Sequence, residues 1–336
     1  MATISKRGSY QFQAIIRRTG YPTQTKTFKT RKDAERWVRD IESKVDQGLF
    51  RDRREVEQTT LGEALDRYLL TVTCHKRGRV GEANRIKLLK KGALALRSLG
   101  SLQAKDYATY RDNRLQQVSA NTVRLELALL SHLYTIAIQE WSLPLEHVLK
   151  NVRKPKAGPG RDRRLVGDEE TRLLAALDRP EARGVRVWLE ACIWLAIETG
   201  MRAGEILTLN WNQVNLGHGV LRLTMTKNGT ARTVPLTCRA VEILQHLPHH
   251  INGRVMPNFH DTSGLDRAFK RLCTAAGIQG LRFHDLRHEA ASRFAPHMPV
   301  QTLAKVMGWK SIQMAMRYYN PTDQELVETV RRAAAA

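Results

Sequence analysis

Residues 284–319 read HDLRHEAASRFAPHMPVQTLAKVMGWKSIQMAMRYY. His284, Arg287 and His288 fall within one turn of a helix, and Arg287, three residues on from His284, shares its face. Trp309 follows, and then a tyrosine pair, Tyr318 and Tyr319. Cations, an indole N–H and a phenol in that order are what a site would use to grip a phosphodiester and attack it. A helical bundle with scattered polar residues would give the same stretch, so the flanking sequence has to separate the two.

Upstream, Val185 to Thr199 is a largely apolar helix that stops at Gly200, a natural residue for the left-handed turn after a helix. Met201-Arg202-Ala203-Gly204-Glu205 then turns into a short helix, a place where an arginine can project into a site. Gly219 to Met225 alternates apolar and polar residues, and Thr226-Lys227-Asn228-Gly229 carries an Asn-Gly hairpin signal, with Arg232 to Leu236 as the return strand. Helices resume at 237–247 and 262–276, and Thr322 with Glu325 caps a final helix bearing Leu326, Val327 and Val330. Metal-free phosphoryl transfer needs cationic donors on the non-bridging oxygens, an in-line nucleophile and an acid for the leaving oxygen. Arginine suits the clamp because its planar fork makes two charge-assisted bonds and keeps its charge. Lys227, at a hairpin tip, is an ammonium that could reach into a groove. Taken singly, each of these also fits a surface ion pair, a structural histidine or an exposed lysine. Asp285 and Glu289 are the only acids near His284, too few for a metal-dependent scheme. The His246, His249, His250 cluster has no carboxylate or cysteine to complete a metal site and reads as loop histidines.

The N-terminal flank is basic. Residues 1–32 hold eight Lys or Arg and no acid. Tyr10, Phe12, Ala14 and Ile16 alternate with polar residues as in a half-buried strand, and Thr23 to Lys29 reads as a second strand. A helix follows, with Ala34, Trp37, Val38, Ile41 and Val45 as its apolar stripe. Such a sheet backed by one helix (residues 1–55) can present Arg17, Arg18 and Lys26 to a DNA groove, or be a capping subdomain with a solvated basic face. Residues 51–58, RDRREVEQ, read as a linker. Residues 60–150 open with a Thr60/Glu63 capping box and carry helical patterns at 61–75, 82–98, 105–117 and 121–141, a four-helix domain. Its basic residues cluster at Lys76, Arg77, Arg79, Arg85, Lys87, Lys90 and Lys91 and suggest a DNA-facing surface. Residues 151–165 form a basic linker with Arg153, Lys154, Lys156, Arg161, Arg163 and Arg164, suited to lie along a phosphate backbone or simply to stay soluble. The last domain is 166–336.

Bulk properties agree with this layout. A chain of 336 residues with 42% hydrophobic content is long enough for two or three cored domains. The formal charge of +22 attracts polyanions, with nucleic acid preferred over a ribosomal role or an anionic membrane. No apolar run reaches membrane-spanning length, and no signal peptide is visible. Cys74, Cys192, Cys238 and Cys273 lie far apart, which argues against zinc or disulfides and fits a reducing cytoplasm.

The ordered series Thr199-Gly200-Met201-Arg202-Ala203-Gly204-Glu205, Thr226-Lys227-Asn228-Gly229, His284-Asp285-Leu286-Arg287-His288, Gly308-Trp309 and Arg317-Tyr318 resembles the tyrosine site-specific recombinases, the phage-integrase family. Residues 108–165, including NTVRLELALLSHLYTIA and VRKPKAGPGRDRRL, are similar to shufflon-type DNA invertases and related phage integrases. The resemblance implies a mainly α, multidomain chain: an N-terminal sheet-plus-helix arm-binding domain, a four-helix core-binding domain and an α+β catalytic domain. It implies that Arg202 and Arg287 clamp the scissile phosphate, that His284 and Trp309 donate to it, that Glu205 orients the network and that Lys227 protonates the leaving 5′ oxygen. Tyr318, nine residues after Trp309, would be the nucleophile and Tyr319 a bystander. It implies a 3′-phosphotyrosine intermediate, a Holliday junction and a tetramer on double-stranded DNA, docked through the C-terminal helix, with accessory DNA-bending or directionality proteins and neither cofactor nor metal. An integrase of a phage or mobile element is the expected activity. A shufflon-type invertase, a type IB topoisomerase-like enzyme and a non-catalytic DNA-binding protein are the alternatives. Most members carry histidine where Trp309 stands. An indole donates but cannot accept a proton, which leaves deprotonation of the phenol without an agent. The arginines would favour the phenolate electrostatically, offsetting an ordinary tyrosine pKa near ~10.

Overall fold

The computed structural model describes residues 2–158, 160–178, 185–224 and 231–319, and in the tail Val327, Val330, Arg331 and Ala334. The chain divides into two compact units, Met1–Pro159 and Gly160–Ala336.

The first unit starts with an antiparallel sheet of β1 (Ala2–Gly8), β2 (Gln11–Arg18) and β3 (Tyr21–Phe28), in that order. The apolar pattern marks β2 and β3 but not β1, whose ATISKRG offers only Ala2 and Ile4 to the small core. Tyr10 belongs to the turn and is 81% exposed, so the inward alternation begins at Phe12. Helix α1 (Arg31–Asp46), capped by the Thr30 hydroxyl on the Asp33 N–H, buries Ala34 and Val38 against Ala14 and Ile16. The stretch 51–58, expected as a linker, instead forms a helical turn, α2 (Arg54–Gln58). Its Val56 is fully buried in the helical core that follows, and one well-placed valine in a polar run is enough to fold it down.

That core holds the four expected helices: α3 (Leu61–Thr71), α4 (Arg79–Lys90), α5 (Ala104–Leu115) and α6 (Ala120–Gln139). The Thr60/Glu63 capping box forms as the sequence indicates. Leu61, Leu65, Tyr68, Ile86, Leu127, Leu130 and Leu133 are buried together, each worth about 1.5–3 kcal/mol relative to exposure. Glu126 is also fully buried; a guanidinium (Arg114) and a phenol (Tyr110, 2.8 Å) satisfy it.

The second unit contains α7 (Glu169–Ala175), α8 (Arg186–Thr199), α9 (Ala203–Leu207), a small sheet of β4 (Val214–Asn215), β5 (Val220–Leu223) and β6 (Arg232–Pro235), then α10 (Cys238–His246), α11 (Thr262–Ala275), α12 (Phe283–Phe294), α13 (Val300–Met307) and α14 (Gln313–Met316). Helix α8 is apolar on nearly every side, and α10, α11 and α12 pack around it. Strands β5 and β6 pair antiparallel with Leu223 opposite Arg232. The Asn228-Gly229 turn, Lys227 itself and the Thr322/Glu325 cap of the final helix lie outside the described residues. Among the described residues no helix is long and apolar enough to cross a membrane. The architecture is mainly α with small β elements, as expected.

Candidate active site

Two helix ends and one helix start converge. Helix α8 ends at Gly200, whose φ of +61° is left-handed, and a Cβ there would lie 2.5 Å from the Met307 Sδ. Helix α13 ends in the same way at Gly308, with φ of +64°. Arg287, on α12 and only 4% exposed, donates to the carbonyls of Gly200 and Met307, so it ties the two helix ends together. Arg202 stands at the start of α9. Its backbone N–H donates to Glu205 Oε2 at 2.9 Å, its Nη1 to Glu205 Oε1 at 2.7 Å, and its Nη2 to the Gly308 carbonyl at 3.3 Å.

Arg202, Glu205, His284, Arg287 and Trp309 line one cleft of about 650 Å³, together with Gly204, Thr208, Thr262 and Met314. Trp309 presents its ring 5.6 Å from the Arg287 guanidinium carbon. The floor is cationic. Burial, then the charges of Arg202 and Arg232, push the Arg287 pKa down to about 9, which leaves it protonated at neutral pH. Burial works against the Glu205 carboxylate, but the charge of Arg232 and hydrogen bonds from Arg202 and Arg232 outweigh it and hold Glu205 below the usual carboxylate range. Three guanidiniums around one carboxylate leave a positive excess that suits a phosphodiester.

Tyr318 does not line that cleft but stacks on Trp309, which does, at 5.4 Å between ring centroids and 5° between planes. Its hydroxyl is hydrogen-bonded to His288 Nδ1. Tyr319 is exposed and has no place in the cluster. Burial raises the Tyr318 pKa, opposed by the charges of Arg317 and Arg287. Burial lowers the His288 pKa, with His284, Arg317 and Arg287 adding to the effect and Asp285 opposing it.

The sequence did not single out Arg232, and it named His288 without giving it a role. Arg232 is on β6 beside Val234, both facing inward; its Nη2 donates to Glu205 at 2.7 Å and its Nη1 to the Val306 carbonyl. A charge at an inward position of a strand, read from the alternation with Val234, is the signal that could have found it.

The residues expected to meet DNA occupy varied settings. Arg17 and Lys26 are exposed on the first sheet, and Arg18 pairs with Asp46. Lys87 and Lys91 are exposed, Arg85 is half-buried, and Lys90 pairs with Asp66. Arg153, Lys154 and Lys156 are exposed. Arg161, Arg163 and Arg164 belong to the second unit, where they pair with Asp285, Glu169 and Glu289. His246 closes α10 and His249 stacks on Trp211; among the described residues no cluster could hold a metal ion.

Residues 163–325 match the family model described as the phage integrase family. The chain is 41% identical over 282 residues to a shufflon-specific DNA recombinase of Escherichia coli, covering 81% of this chain and 72% of the relative. It is 35% identical over 341 residues to a putative integrase/recombinase of Haemophilus influenzae, covering 98% of this chain and 90% of that one. Among solved structures, a lambda integrase tetramer bound to a Holliday junction is similar, with a TM-score of 0.67 at 21% identity over 94% of each chain. The cleft and these similarities lead to one conclusion: the chain belongs to the phage integrase family and is a tyrosine recombinase.

Proposed function

We propose that this enzyme binds double-stranded DNA at specific sites and exchanges strands through a 3′-phosphotyrosine and a Holliday junction, as an integrase of a phage or mobile element. The observation that carries the reading is the convergence of Arg202, His284, Arg287 and Trp309 on one cleft, with Tyr318 stacked against its indole wall. Arg202 and Arg287 hold the non-bridging oxygens, His284 and the Trp309 N–H add donors, and Glu205 fixes both Arg202 and its neighbour Arg232. The Tyr318 oxygen attacks phosphorus, the bond to the 5′ oxygen breaks, and Lys227 supplies the proton that makes it a hydroxyl. The ester keeps the energy of the broken bond, so rejoining by a 5′-hydroxyl needs neither ATP nor metal.

Residues 1–55 would read a separate arm site, 60–150 the core site, and 151–165 would connect the latter to the catalytic residues 166–336. Arg17, Arg18, Lys26, Arg85, Lys87, Lys90, Lys91, Arg153, Lys154 and Lys156 are the proposed phosphate contacts, with Arg161, Arg163 and Arg164 dividing their donors between phosphate and their carboxylate partners. Assembly would be a tetramer on two sites, docked through the C-terminal helix and assisted by DNA-bending or directionality proteins, on the nucleoid of a bacterial cytoplasm. Inversion is the second reading, favoured by the 41% identity to a shufflon-specific recombinase.

A nicked suicide duplex carrying the recombination site tests the chemistry. Wild type should form a covalent protein–DNA adduct without added metal, and Tyr318→Phe should form none. An adduct in the Tyr318→Phe protein would move the nucleophile elsewhere.

A further inference from the structure

Trp309 cannot take the proton of the attacking phenol, because an indole N–H only donates. Its position in the stack raises the question of which group can. Helix α12 places His288 one turn after His284, and the His288 ring stands 5.4 Å from His284 and 5.9 Å from Tyr318. Tyr318 thus lies between two aromatic neighbours, Trp309 and His288, and its hydroxyl meets His288 Nδ1. Trp309 offers a wall and His288 offers a lone pair.

We propose that His288 is a catalytic residue that accepts the Tyr318 phenol proton during cleavage and returns it during rejoining. This rests on Tyr318 being the nucleophile. In the forward step the Oη–H proton passes to Nδ1 as the oxygen's electron pair forms the bond to phosphorus. The bond to the 5′ oxygen breaks with its electron pair, and that oxygen is protonated separately by Lys227. In the reverse step a 5′-hydroxyl attacks, its proton returning to Lys227, and the phenolate leaves phosphorus and recovers its proton from the imidazolium. Nδ1 accepts only when the ring's other nitrogen carries the proton, so the resting tautomer is the Nε2–H form.

The surroundings keep His288 ready for this. Facing it are His284, Asp285 and Arg287 on its own helix, and Arg317 and Tyr318 from the segment after α14. Asp285, the single acid of that set, is engaged by Arg161 through two hydrogen bonds of 2.7 Å. Arg317 is anchored by the Arg161 carbonyl at 3.2 Å. The net result of burial and positive neighbours is a histidine held neutral below its ordinary pKa, next to a phenol that burial keeps protonated.

The test measures single-turnover adduct formation on the nicked duplex from pH 5 to 9, with two substrates. One has the ordinary 5′ oxygen and the other a 5′-bridging sulfur, which leaves without a proton donor. Wild type should lose about tenfold per pH unit below a pKa lying under the usual histidine value. His288→Gln should form the adduct about 10²–10³-fold more slowly at neutral pH, with no levelling at the histidine pKa and the rate climbing across the whole range. The sulfur substrate should rescue Lys227→Ala but not His288→Gln, and added imidazole should restore part of the rate to His288→Gly. Core-site affinity and the melting midpoint of each variant separate loss of fold from loss of chemistry. A flat wild-type profile, a His288→Gln enzyme with the wild-type rate or the wild-type levelling-off, or one that cleaves faster would overturn the proposal. The first two would mean that no proton goes to His288, and the last that it merely parks the tyrosine. Each leaves the Tyr318 adduct intact, whereas an adduct in Tyr318→Phe would sink the underlying nucleophile assignment instead.

Discussion

Arg232 joins residues the sequence places far apart. It is 8% exposed at its side chain, as Glu205 is 7%, and their contact holds the carboxylate that also orients Arg202. Removing one member of a buried ion pair strands the other, at about 3–5 kcal/mol. Glu205 keeps its Arg202 contacts, so Arg232→Ala should lower the unfolding free energy by less than that, about 1–3 kcal/mol, and slow adduct formation at least tenfold. Arg232→Ala combined with Glu205→Gln should cost clearly less than the sum of the two changes, since both remove the same contact. Additive costs would mean that the pair is not coupled. The order of Arg202, His284, Arg287, Trp309 and Tyr318 along the chain was legible because each sits in a short motif at fixed spacing. Arg232 and the role of His288 were not. One depends on which face of a strand turns inward, the other on how the loop carrying Tyr318 folds back over α12.

At the scale of elements, the site depends on two helices ending in left-handed glycine. The Gly200 and Gly308 carbonyls accept from Arg287 and Arg202, and neither position has room for a Cβ: Met307 Sδ would lie 2.5 Å away in one case and Arg232 Cδ 2.7 Å away in the other. Gly253, with φ of +72° and nothing within 4 Å of a built Cβ, has the backbone strain without the crowding. Gly253→Ala should cost about 1–2 kcal/mol from conformation alone. Gly200→Ala should cost that plus about 1–3 kcal/mol of overpacking, measured by denaturant unfolding. Equal losses at the two positions would show that Met307 simply moves aside. Gly200 as a helix end was legible in the sequence; Gly308 as one, and the side chain each would strike, were not, since Met307 and Arg232 reach them from more than 70 residues away. The strand β1 and helix α2 escaped notice for the opposite reason, having too few apolar residues to set a period.

Over the whole molecule, the charge of +22 makes DNA binding a counterion-release problem. If about six phosphates are neutralised, affinity for the core site should fall about 10³-fold between 50 and 200 mM salt. Anisotropy titrations with less than a tenfold change would contradict the proposed phosphate contacts. The small core of Ala14, Ile16, Ala34 and Val38 shares no residue with the helical core that buries Val56. A protein lacking residues 1–50 should therefore keep its helical melting transition and its core-site cleavage while losing the separate arm site. Cleavage and melting lost together would make the N-terminal sheet a structural part of the enzyme.

The ion pairs of Arg161, Arg163 and Arg164 have a mechanical consequence. Each grips a carboxylate of the catalytic unit, and the first of these, Asp285, sits between His284 and Arg287. Chain entering the unit at Gly160 is thus fastened at three successive points, like the strain relief on a cable. Tension arriving from residue 158 is borne by Asp285 and Glu289 on α12 and by Glu169 at the start of α7 before it can peel the chain from its seat. The same fastening makes the turn that holds the proposed phosphate clamp the first place such a load is felt.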